Sequence, residues 1–303
     1  MAQFVPKNKG PVTIKAANSN TISDAYRDSL TIAYQFIGSR MATTAFTFGG
    51  KTYDTPIMMG PTGGLQNAPN GTVGAARAVR EAGSIFWTGF HEPDAWHQVL
   101  TEGIPAIRVI KPLRDNDRVL EEIRHDTENG AVGYAMDFDH GFTVYGELDA
   151  QKEPFAPKTV EELKMFNEAS ELPFFLKSVM SVRDALLAKE IGVAGIVISG
   201  HNNRFPCEVP ALKLLPEIRK AVGDEMTIFI DGGLNNGYDA FKALALGANG
   251  VLVARAASAA YVNGQEEGLT EKFLEMTAEL KGAMSNTGSP DLQHINHDCI
   301  IAL

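Results

Sequence analysis

The sequence of 303 residues has few cysteines, an excess of acidic residues and no long apolar run. Cys207 and Cys299 are its two cysteines and lack CxxC spacing, which argues against a disulfide framework or a zinc site and favours a reducing compartment. The net charge of −10 argues against a nucleic-acid partner, because phosphate binding requires a basic surface. No run reaches the roughly 18 apolar residues of a membrane span, and the first residues lack the apolar core of a secretory signal. These absences predict a soluble, cytoplasmic protein that binds neither nucleic acid nor a membrane.

Eight short apolar runs alternate with amphipathic helical patterns from residue 55 onwards. The predicted strands are residues 55–62, 84–89, 106–112, 131–139, 173–179, 195–201, 227–233 and 250–255. Continuous apolar runs predict parallel strands that are covered on both faces. Several of the helical patterns between them end in glycine, a common helix stop. Eight such units predict an α/β protein with a closed (β/α)8 TIM barrel, and an open doubly wound sheet is the alternative.

The chain is predicted to form a single domain in two parts. Residues 1–54 form an N-terminal helical extension, with a helix near residues 22–37, and residues 55–303 form the barrel. A long loop, residues 140–172, follows the fourth predicted barrel strand and contains two prolines and a charged helical segment. Long loops at the carboxyl ends of barrel strands commonly shape active sites.

Charged and polar residues, together with two glycines, lie at or near the ends of the predicted barrel strands four to eight. They are Asp137, Lys177, His201 with Arg204, Asp231 with Gly232 and Gly233, and Arg255. Because the carboxyl ends of barrel strands open at one mouth, we expect these side chains to converge there. The two glycines and the basic Arg255 suit a phosphate group, which often lies after strands seven and eight. Each residue alone could be structural, since paired charges also occur in structural networks.

Two parts of the sequence resemble the FMN-dependent α-hydroxy acid oxidase and dehydrogenase family, which includes glycolate oxidase and lactate oxidase. They are residues 172–206, with the motif SGHNNRF, and residues 229–255, with the motif FIDGG. The resemblance continues through DTPIMMGPTGG and the C-terminal EMTAELKGAMSNTGSPDLQHI, covers most of residues 40–300, and points to a divergent bacterial subgroup. It implies an enzyme with bound FMN that oxidises a 2-hydroxy acid to the 2-oxo acid. It also implies an electron acceptor, oxygen or another, and a homo-oligomer, commonly a tetramer or octamer.

The resemblance further implies roles for individual residues. His201 matches the active-site base, Asp137 the carboxylate that orients it, and Lys177 the lysine beside the flavin. Arg204 matches the arginine that clamps the substrate carboxylate, a task suited to a planar bidentate donor. The expected cofactor-binding residues are Pro61, Thr62, Gly63, Thr88, Lys177, Ser199, Asp231, Gly232, Gly233 and Arg255. No metal site is expected.

The sequence departs from the family pattern at several positions. Asn202 and Asn203 stand where the family has two glycines, and Asn235 replaces a second phosphate-binding arginine. On the third predicted strand, Arg108 and Ile110 are aligned with a glutamine and an active-site tyrosine. A second substrate-binding arginine is missing from the loop after the fourth strand. The usual hold on a small acid is therefore half present, and we expect a larger acid than lactate or glycolate.

The sequence leaves three alternatives to the oxidoreductase. An FMN-dependent isomerase on the same barrel, such as type 2 isopentenyl diphosphate isomerase, involves no net redox change. It is disfavoured because the sequence lacks an obvious basic diphosphate pocket. A non-catalytic flavoprotein is disfavoured by the retention of Asp137, Lys177, His201 and Arg204. A flavoprotein with an altered substrate class is the third alternative.

Overall fold

The structure, a computed structural model, describes residues 18–89 and 92–303, so the first 17 residues of the predicted extension lie outside the described residues. The strands are β1 (Leu30–Ile32), β2 (Phe46–Phe48), β3 (Lys51–Tyr53), β4 (Ile57–Met59), β5 (Phe86–Thr88), β6 (Ala106–Ile110), β7 (Gly133–Asp137), β8 (Phe174–Lys177), β9 (Gly195–Ile198), β10 (Thr227–Ile230), β11 (Gly250–Val253) and β12 (Ile300–Ala302). The helices are α1 (Ser19–Ser29), α2 (Gly71–Glu81), α3 (Pro93–Thr101), α4 (Asn116–Glu128), α5 (Val160–Glu168), α6 (Val182–Ile191), α7 (Ala211–Val222), α8 (Gly237–Ala245) and α9 (Arg255–Ser285). Among the described residues, no helix is both long and apolar enough to cross a bilayer.

Strands β4 to β11 form a closed parallel barrel, which confirms the predicted (β/α)8 fold. Each predicted strand contains one barrel strand, and β11 pairs with β4 to close the ring. The closure excludes the open doubly wound sheet. Local sequence explains the helix boundaries: Ser181 caps α6 by accepting from the Asp184 N–H at 3.0 Å, and Gly192 ends it in a left-handed conformation.

Side chains alternate between the two faces of each barrel strand and form an outer and an inner apolar layer. The outer layer packs against the helices. The inner layer consists of Met58, Trp87, Ile107, Val109, Ala135, Phe175, Val197, Phe229 and Leu252. Phe175 and Phe229 approach with ring centroids 5.2 Å apart, and Trp87 meets Phe229 edge-on at 5.8 Å. The barrel is therefore filled with large side chains rather than hollow, so its interior leaves no room for a ligand.

The N-terminal extension differs in detail from its prediction. The helix predicted near residues 22–37 begins earlier and ends at Ser29, where Leu30 adopts an extended conformation. Residues Leu30–Ile32 form β1 and pair antiparallel with β12 at the other end of the chain. The β-branched residues Thr31 and Ile32 favour a strand when a partner is present. The predicted charged helix in residues 140–172 is α5, which Thr159 begins with a capping box to Glu162.

Gly237 lies where α8 packs closely on α9. A Cβ atom built at this glycine would collide with the backbone oxygen of Met276 and the backbone nitrogen of Leu280. The Gly237 N–H donates to Glu279 Oε2 at 2.7 Å, which fixes the same contact. Glycine is required here for the close approach of two helices rather than for a turn.

We expect Gly237→Ala to lower the free energy of unfolding by about 1–3 kcal/mol, the usual cost of overpacking a rigid contact. Gly282→Ala is the control, because a Cβ at this position in α9 would meet no atom within 4 Å. Alanine should leave stability unchanged there or raise it by up to about 1 kcal/mol. Denaturant unfolding of both variants measures the difference. Equal stability of the two variants would contradict the close packing of α8 on α9.

Candidate active site

On each barrel strand, the residue two positions after the inner apolar layer also faces inwards, and it lines the mouth of the barrel. These residues are Gly60, Gly89, Lys111, Asp137, Lys177, Ser199, Asp231 and Ala254. Side chains two residues apart on a strand face the same side of the barrel. Above the apolar inner layer there is therefore a second layer, at the carboxyl ends of the strands, made of charged, polar and small side chains. Asp137, Lys177, Ser199 and Asp231, all expected site residues, lie together in this layer.

Asp137 lies at the centre of the layer between two lysines. Lys111 Nζ is 2.5 Å from Asp137 Oδ2, and Lys177 Nζ is 3.1 Å from Asp137 Oδ1, an ion-pair contact. Lys177 also lies 3.3 Å from Ser199 Oγ and 3.8 Å from Asp231 Oδ2. Asp137 and Lys177 are each 1 % exposed, so these charges interact with little screening by water.

Both buried groups remain charged because they are paired. Burial opposes ionisation of Asp137, but the Lys111 and Lys177 ammonium groups outweigh it and hold its pKa well below the usual range. Burial likewise opposes protonation of Lys177, but Asp137 and Asp231 raise the pKa of its ammonium group above the ordinary value. Lys177 therefore supplies a permanent positive charge within the mouth.

His201 forms its hydrogen bond with a different carboxylate from the one expected. Its Nδ1 lies 3.0 Å from Asp139 Oδ2, whereas its Nε2 lies 3.8 Å from Asp137 Oδ2. The expected orienting residue, Asp137, is thus near the ring but is not the hydrogen-bond partner. Burial opposes ionisation of Asp139, but the hydrogen bond to His201 lowers its pKa. The difference arises because Asp137 is already directed into the barrel layer by its two lysines.

The β9 loop (residues 199–209) holds three consecutive residues in the left-handed conformation. His201, Asn202 and Asn203 have φ values of 45°, 57° and 63°. Asparagine tolerates this conformation better than most residues, so the asparagines can replace the glycines of the family pattern. Helix α1 also binds them: Asn20 donates to Asn202 Oδ1 at 3.0 Å, and the Ser19 N–H donates to Asn203 Oδ1 at 2.7 Å. The N-terminal extension thereby fixes the loop that carries His201.

Arg204, the expected carboxylate clamp, is held by the β7 loop (residues 138–150). Its Nη2 donates to Asp149 Oδ2 at 2.5 Å and to the Phe142 carbonyl at 3.1 Å, and its Nε lies 3.1 Å from Asp139 Oδ2. His140 Nδ1 lies 2.8 Å from the same Asp149 oxygen. Two carboxylates of the protein therefore already occupy this guanidinium group.

The third barrel strand presents residues other than those expected. Arg108 points outwards, where its Nε donates to Asp126 Oδ2 of α4 at 2.7 Å, and Ile110 belongs to the outer apolar layer. Val109 and Lys111 point inwards instead. The expected alignment of Arg108 and Ile110 with two site positions is therefore wrong by one residue. A one-residue slip moves every side chain of a strand to the opposite face.

Thr88 is also on the outer face of its strand. Trp87 before it belongs to the inner layer, and Gly89 after it lines the mouth. In the described part of the chain, Thr88 is not among the residues that line the mouth cavities. The hydroxyl group of Thr88 therefore lies on the outer face of β5, whereas Gly89 lines the mouth.

The opposite side of the mouth has the properties of a phosphate site. Gly232 and Gly233 have φ values of 111° and 80°, and Arg255 begins α9, whose N-terminus no side chain caps within the described residues. Arg27 of α1 donates through Nη1 to the Gly233 carbonyl. A Cβ at Gly233 would lie 3.1 Å from Arg27 Nη1 and 3.2 Å from Arg255 Nη2. Two guanidinium groups thus approach one glycine, although Asn235 replaces the second arginine expected in this loop.

Two adjoining cavities lie in the mouth. One of about 60 Å³ is lined by Lys177, Asp231, Gly232, Gly233 and Arg255, and one of about 210 Å³ by Pro61, Thr62, Gly63, Lys111 and Asp137. Pro61, His201 and Arg255 line both. A helix N-terminus with an arginine at one end and a buried ammonium group in the middle match the phosphate and the ring of FMN. The residues present therefore fit this cofactor.

A metal ion fits this group of charged residues less well than FMN does. Ligand atoms of Asp137, His140 and His201 lie within 4.8 Å of one another. However, Lys111 Nζ lies 2.5 Å from Asp137 Oδ2 and 3.5 Å from His140 Nε2, so an ammonium group already occupies the space between these ligands. Burial, with Lys111 and Arg204 nearby, lowers the pKa of His140 to about 4, which leaves its ring neutral.

Sequence reasoning missed five residues of the site: Lys111, Asp139, His140, Asp149 and Glu208. Lys111 follows an apolar strand in the same way as the predicted strand residues, and Asp139 and His140 directly follow Asp137, so these three could have been found. Asp149 and Glu208 could not, because only the folding of the β7 and β9 loops brings them to the mouth. Glu208 Oε2 is buried without a hydrogen-bond partner among the described residues.

The carboxyl of Glu208 gives a pH-dependent contribution to stability. Burial and the charges of Asp139 and Asp231 raise its pKa to about 7. The folded state therefore favours the protonated form, and this stabilisation, complete below the ordinary pKa of 4.5, is lost as the pH rises through about 7. Glu208→Gln is neutral at every pH. We expect it to lose less stability than the wild type between about pH 5 and about pH 8.5.

Thermal unfolding of the wild type and Glu208→Gln at both pH values measures this difference. Glu217→Gln is the control, because Glu217 is an exposed glutamate of α7 and its variant should follow the wild type. The same pH dependence in Glu208→Gln and the wild type would show that this carboxyl is not held protonated by the fold.

The sequence matches the FMN-dependent dehydrogenase family over residues 23–159 and 144–302. It is 28 % identical to glycolate oxidase 3 of Arabidopsis thaliana over 286 residues, which cover 82 % of this chain and 77 % of that enzyme. It is 38 % identical to the L-lactate dehydrogenase of Caulobacter vibrioides over 136 residues, which cover 45 % of this chain and 36 % of that enzyme.

A solved structure of a mandelate oxidase variant with a monooxide FMN adduct has a similar fold. It superimposes with a TM-score of 0.87 and 25 % sequence identity, covering 94 % of this chain and 92 % of that one. The family match spans nearly all the described residues, and the mouth of the barrel has the charge pattern that FMN requires. The chain belongs to the FMN-dependent dehydrogenase family.

Proposed function

We propose that the protein is an FMN-dependent oxidoreductase that oxidises a 2-hydroxy acid to the corresponding 2-oxo acid. The observation that carries this proposal is the position of His201, a histidine with a fixed carboxylate partner, beside the buried Lys177 and the phosphate site. Glycolate, lactate and mandelate, the substrates named for the similar enzymes, are all 2-hydroxy acids. Each carries the C–H and O–H groups that such a site can oxidise.

The cofactor residues divide between two ends of the mouth. Gly232, Gly233 and Arg255 would hold the phosphate of FMN, and Pro61, Thr62 and Gly63 would lie beside its ring. Ser199 and Asp231 would position Lys177. When bound, FMN supplies an acceptor for two electrons. The fixed charge of Lys177 would stabilise negative charge that develops on the reduced ring, since it is desolvated and needs no reorganisation.

His201 would remove a proton from the substrate. If its Nδ1 carries the hydrogen that Asp139 accepts, Nε2 is left as the proton acceptor on the side of Asp137. Asp137 and Asp139 would then stabilise the imidazolium that forms. The hydrogen on the α-carbon leaves as a hydride, or as a proton followed by two electrons. The electrons pass to oxygen or to another acceptor.

Three broader proposals accompany this function. A cytoplasmic location is supported by the absence of a disulfide among the described residues, since Cys207 and Cys299 are free. A homo-oligomer, a tetramer or octamer, is implied by the family resemblance. The division into an N-terminal extension, residues 1–54, and a barrel, residues 55–303, within one domain is supported by the binding of α1 to the β9 loop.

Replacement of His201 tests the proposed function. We expect the wild-type protein to be yellow with one FMN per chain, and His201→Gln to keep its FMN while turnover falls by about 10²–10⁴-fold, the usual contribution of a positioned base. Flavin content and steady-state oxidation of 2-hydroxy acids measure the two effects. His294→Gln is the control, because His294 lies away from the mouth and is 71 % exposed.

Two results would contradict the proposal. Folded wild-type protein that binds no added FMN would exclude the cofactor. Turnover of His201→Gln close to that of the wild type and of His294→Gln would exclude His201 as the base.

A further inference from the structure

We propose that Arg27 of α1 positions the backbone N–H groups that bind the phosphate of FMN. It contacts the β10 turn (residues 231–236), which follows β10 and contains Gly232 and Gly233. The inference rests on the proposed function for its ligand. It adds a residue of the N-terminal extension to a cofactor site whose other residues all belong to the barrel. Arg27 is a positioning residue, because it acts on the phosphate through the peptide group that follows Gly233.

The carbonyl group of Gly233 accepts hydrogen bonds from two donors. Arg27 Nη1 donates to it from α1, and Asn235 Nδ2 donates to it at 2.9 Å from within the turn. A trans peptide group is planar, and its C=O and N–H groups point in opposite directions. No peptide bond between described residues is cis, so the Leu234 N–H points away from the side on which the Gly233 carbonyl is bound. The two donors therefore set the direction of the Leu234 N–H.

The β10 turn lies between Arg27 and the phosphate cavity. Gly232, Gly233 and Leu234 line the cavity of about 60 Å³, whereas Arg27 is not among the described residues that line it. In the described part of the chain, the N–H groups of these three turn residues have no hydrogen-bond partner. Successive N–H groups in a turn with positive φ values form a concave site for an anion. Arg27 thus holds the turn from behind, while the N–H groups remain available to a phosphate in front of it.

The charge of Arg27 is largely neutralised, so its contribution to phosphate binding is geometric. Its Nη1 lies 2.7 Å from Asp24 Oδ1, and its Nη2 lies 2.8 Å from Asp28 Oδ1. Its Nε lies 3.7 Å from Asp239 Oδ1. Three carboxylates at these distances leave little positive potential for a phosphate. The same contacts fix the guanidinium group, which is planar and donates in several directions at once.

Helix α1 is itself held in place at both ends. The Ser19 N–H at its first residue donates to Asn203 Oδ1 of the β9 loop at 2.7 Å. Near its last residue, the Arg27 carbonyl accepts from Lys242 Nζ of α8 at 3.1 Å, and Arg27 is 8 % exposed. A buried arginine on a fixed helix can hold the β10 turn in its binding orientation before FMN arrives. Such preorganisation increases affinity because less freedom is lost on binding.

A comparison of FMN with riboflavin tests this role, because riboflavin has the same ring but no phosphate. The full-length protein is loaded with either flavin, and the dissociation constant is measured from the free-flavin fluorescence that appears on dilution. We expect Arg27→Met to weaken FMN binding by about 10–100-fold, the effect of losing a hydrogen bond to a charged group. Riboflavin binding should stay within a few-fold of the wild type. Arg27→Lys should restore part of the FMN affinity, since an ammonium group can still donate to the Gly233 carbonyl.

Arg40→Met is the matched control, because Arg40 is an exposed arginine of the same extension, and it should bind both flavins as the wild type does. Equal weakening of FMN and riboflavin binding in Arg27→Met would show that Arg27 only supports the fold. FMN binding by Arg27→Met that equals the wild type would also overturn the proposal.

A second variant tests the same carbonyl contact if Arg27→Met does not fold. Asn235 is exposed and donates to the Gly233 carbonyl from the other side, so Asn235→Ala should fold and weaken FMN binding several-fold relative to riboflavin. An unchanged ratio of the two affinities in Asn235→Ala would overturn the proposal. A wild-type protein that binds FMN with the help of Arg27 but is not reduced by any 2-hydroxy acid would contradict the proposed function alone.

Discussion

The carboxylate of Asp137 is buried between two lysine ammonium groups, and the arrangement of the mouth depends on this contact. A buried carboxylate is stable only when it is paired, and Lys111 and Lys177 provide the pairing from the strands on either side of β7. The pairing places one ammonium group at each oxygen of Asp137. Removal of either lysine would leave charge uncompensated in a region where water screens little.

The loops above this layer are fixed by contacts between distant parts of the chain. Helix α1 binds Asn202 and Asn203 of the β9 loop, and Arg204 of that loop binds Asp139 and Asp149 of the β7 loop. The strained left-handed residues around His201 are thereby supported from both sides. The departures from the family pattern are consistent with this arrangement, because asparagine both tolerates the conformation and supplies the contacts to α1.

The barrel could be predicted from the sequence because its strands are continuous apolar runs that end in polar residues. The position of polar residues at the strand ends likewise predicts that Asp137, Lys177, Ser199, Asp231 and Arg255 lie at one mouth. The errors arose where one residue decides the face of a strand, as at Arg108, Ile110 and Thr88, or where a tertiary partner decides the local structure, as at β1. The hydrogen bond between His201 and Asp139 and the ion pair between Arg204 and Asp149 depend on loop geometry, which no spacing in the sequence specifies.

The reaction proposed for this mouth is the oxidation of a 2-hydroxy acid with FMN. Anaerobic mixing of the FMN-loaded enzyme with a series of 2-hydroxy acids, from glycolate and lactate to mandelate and longer acids, tests it most directly. We expect loss of the visible flavin absorbance and formation of one 2-oxo acid per flavin, with larger acids reacting faster than glycolate or lactate. Flavin that stays oxidised with every acid of the series would contradict it.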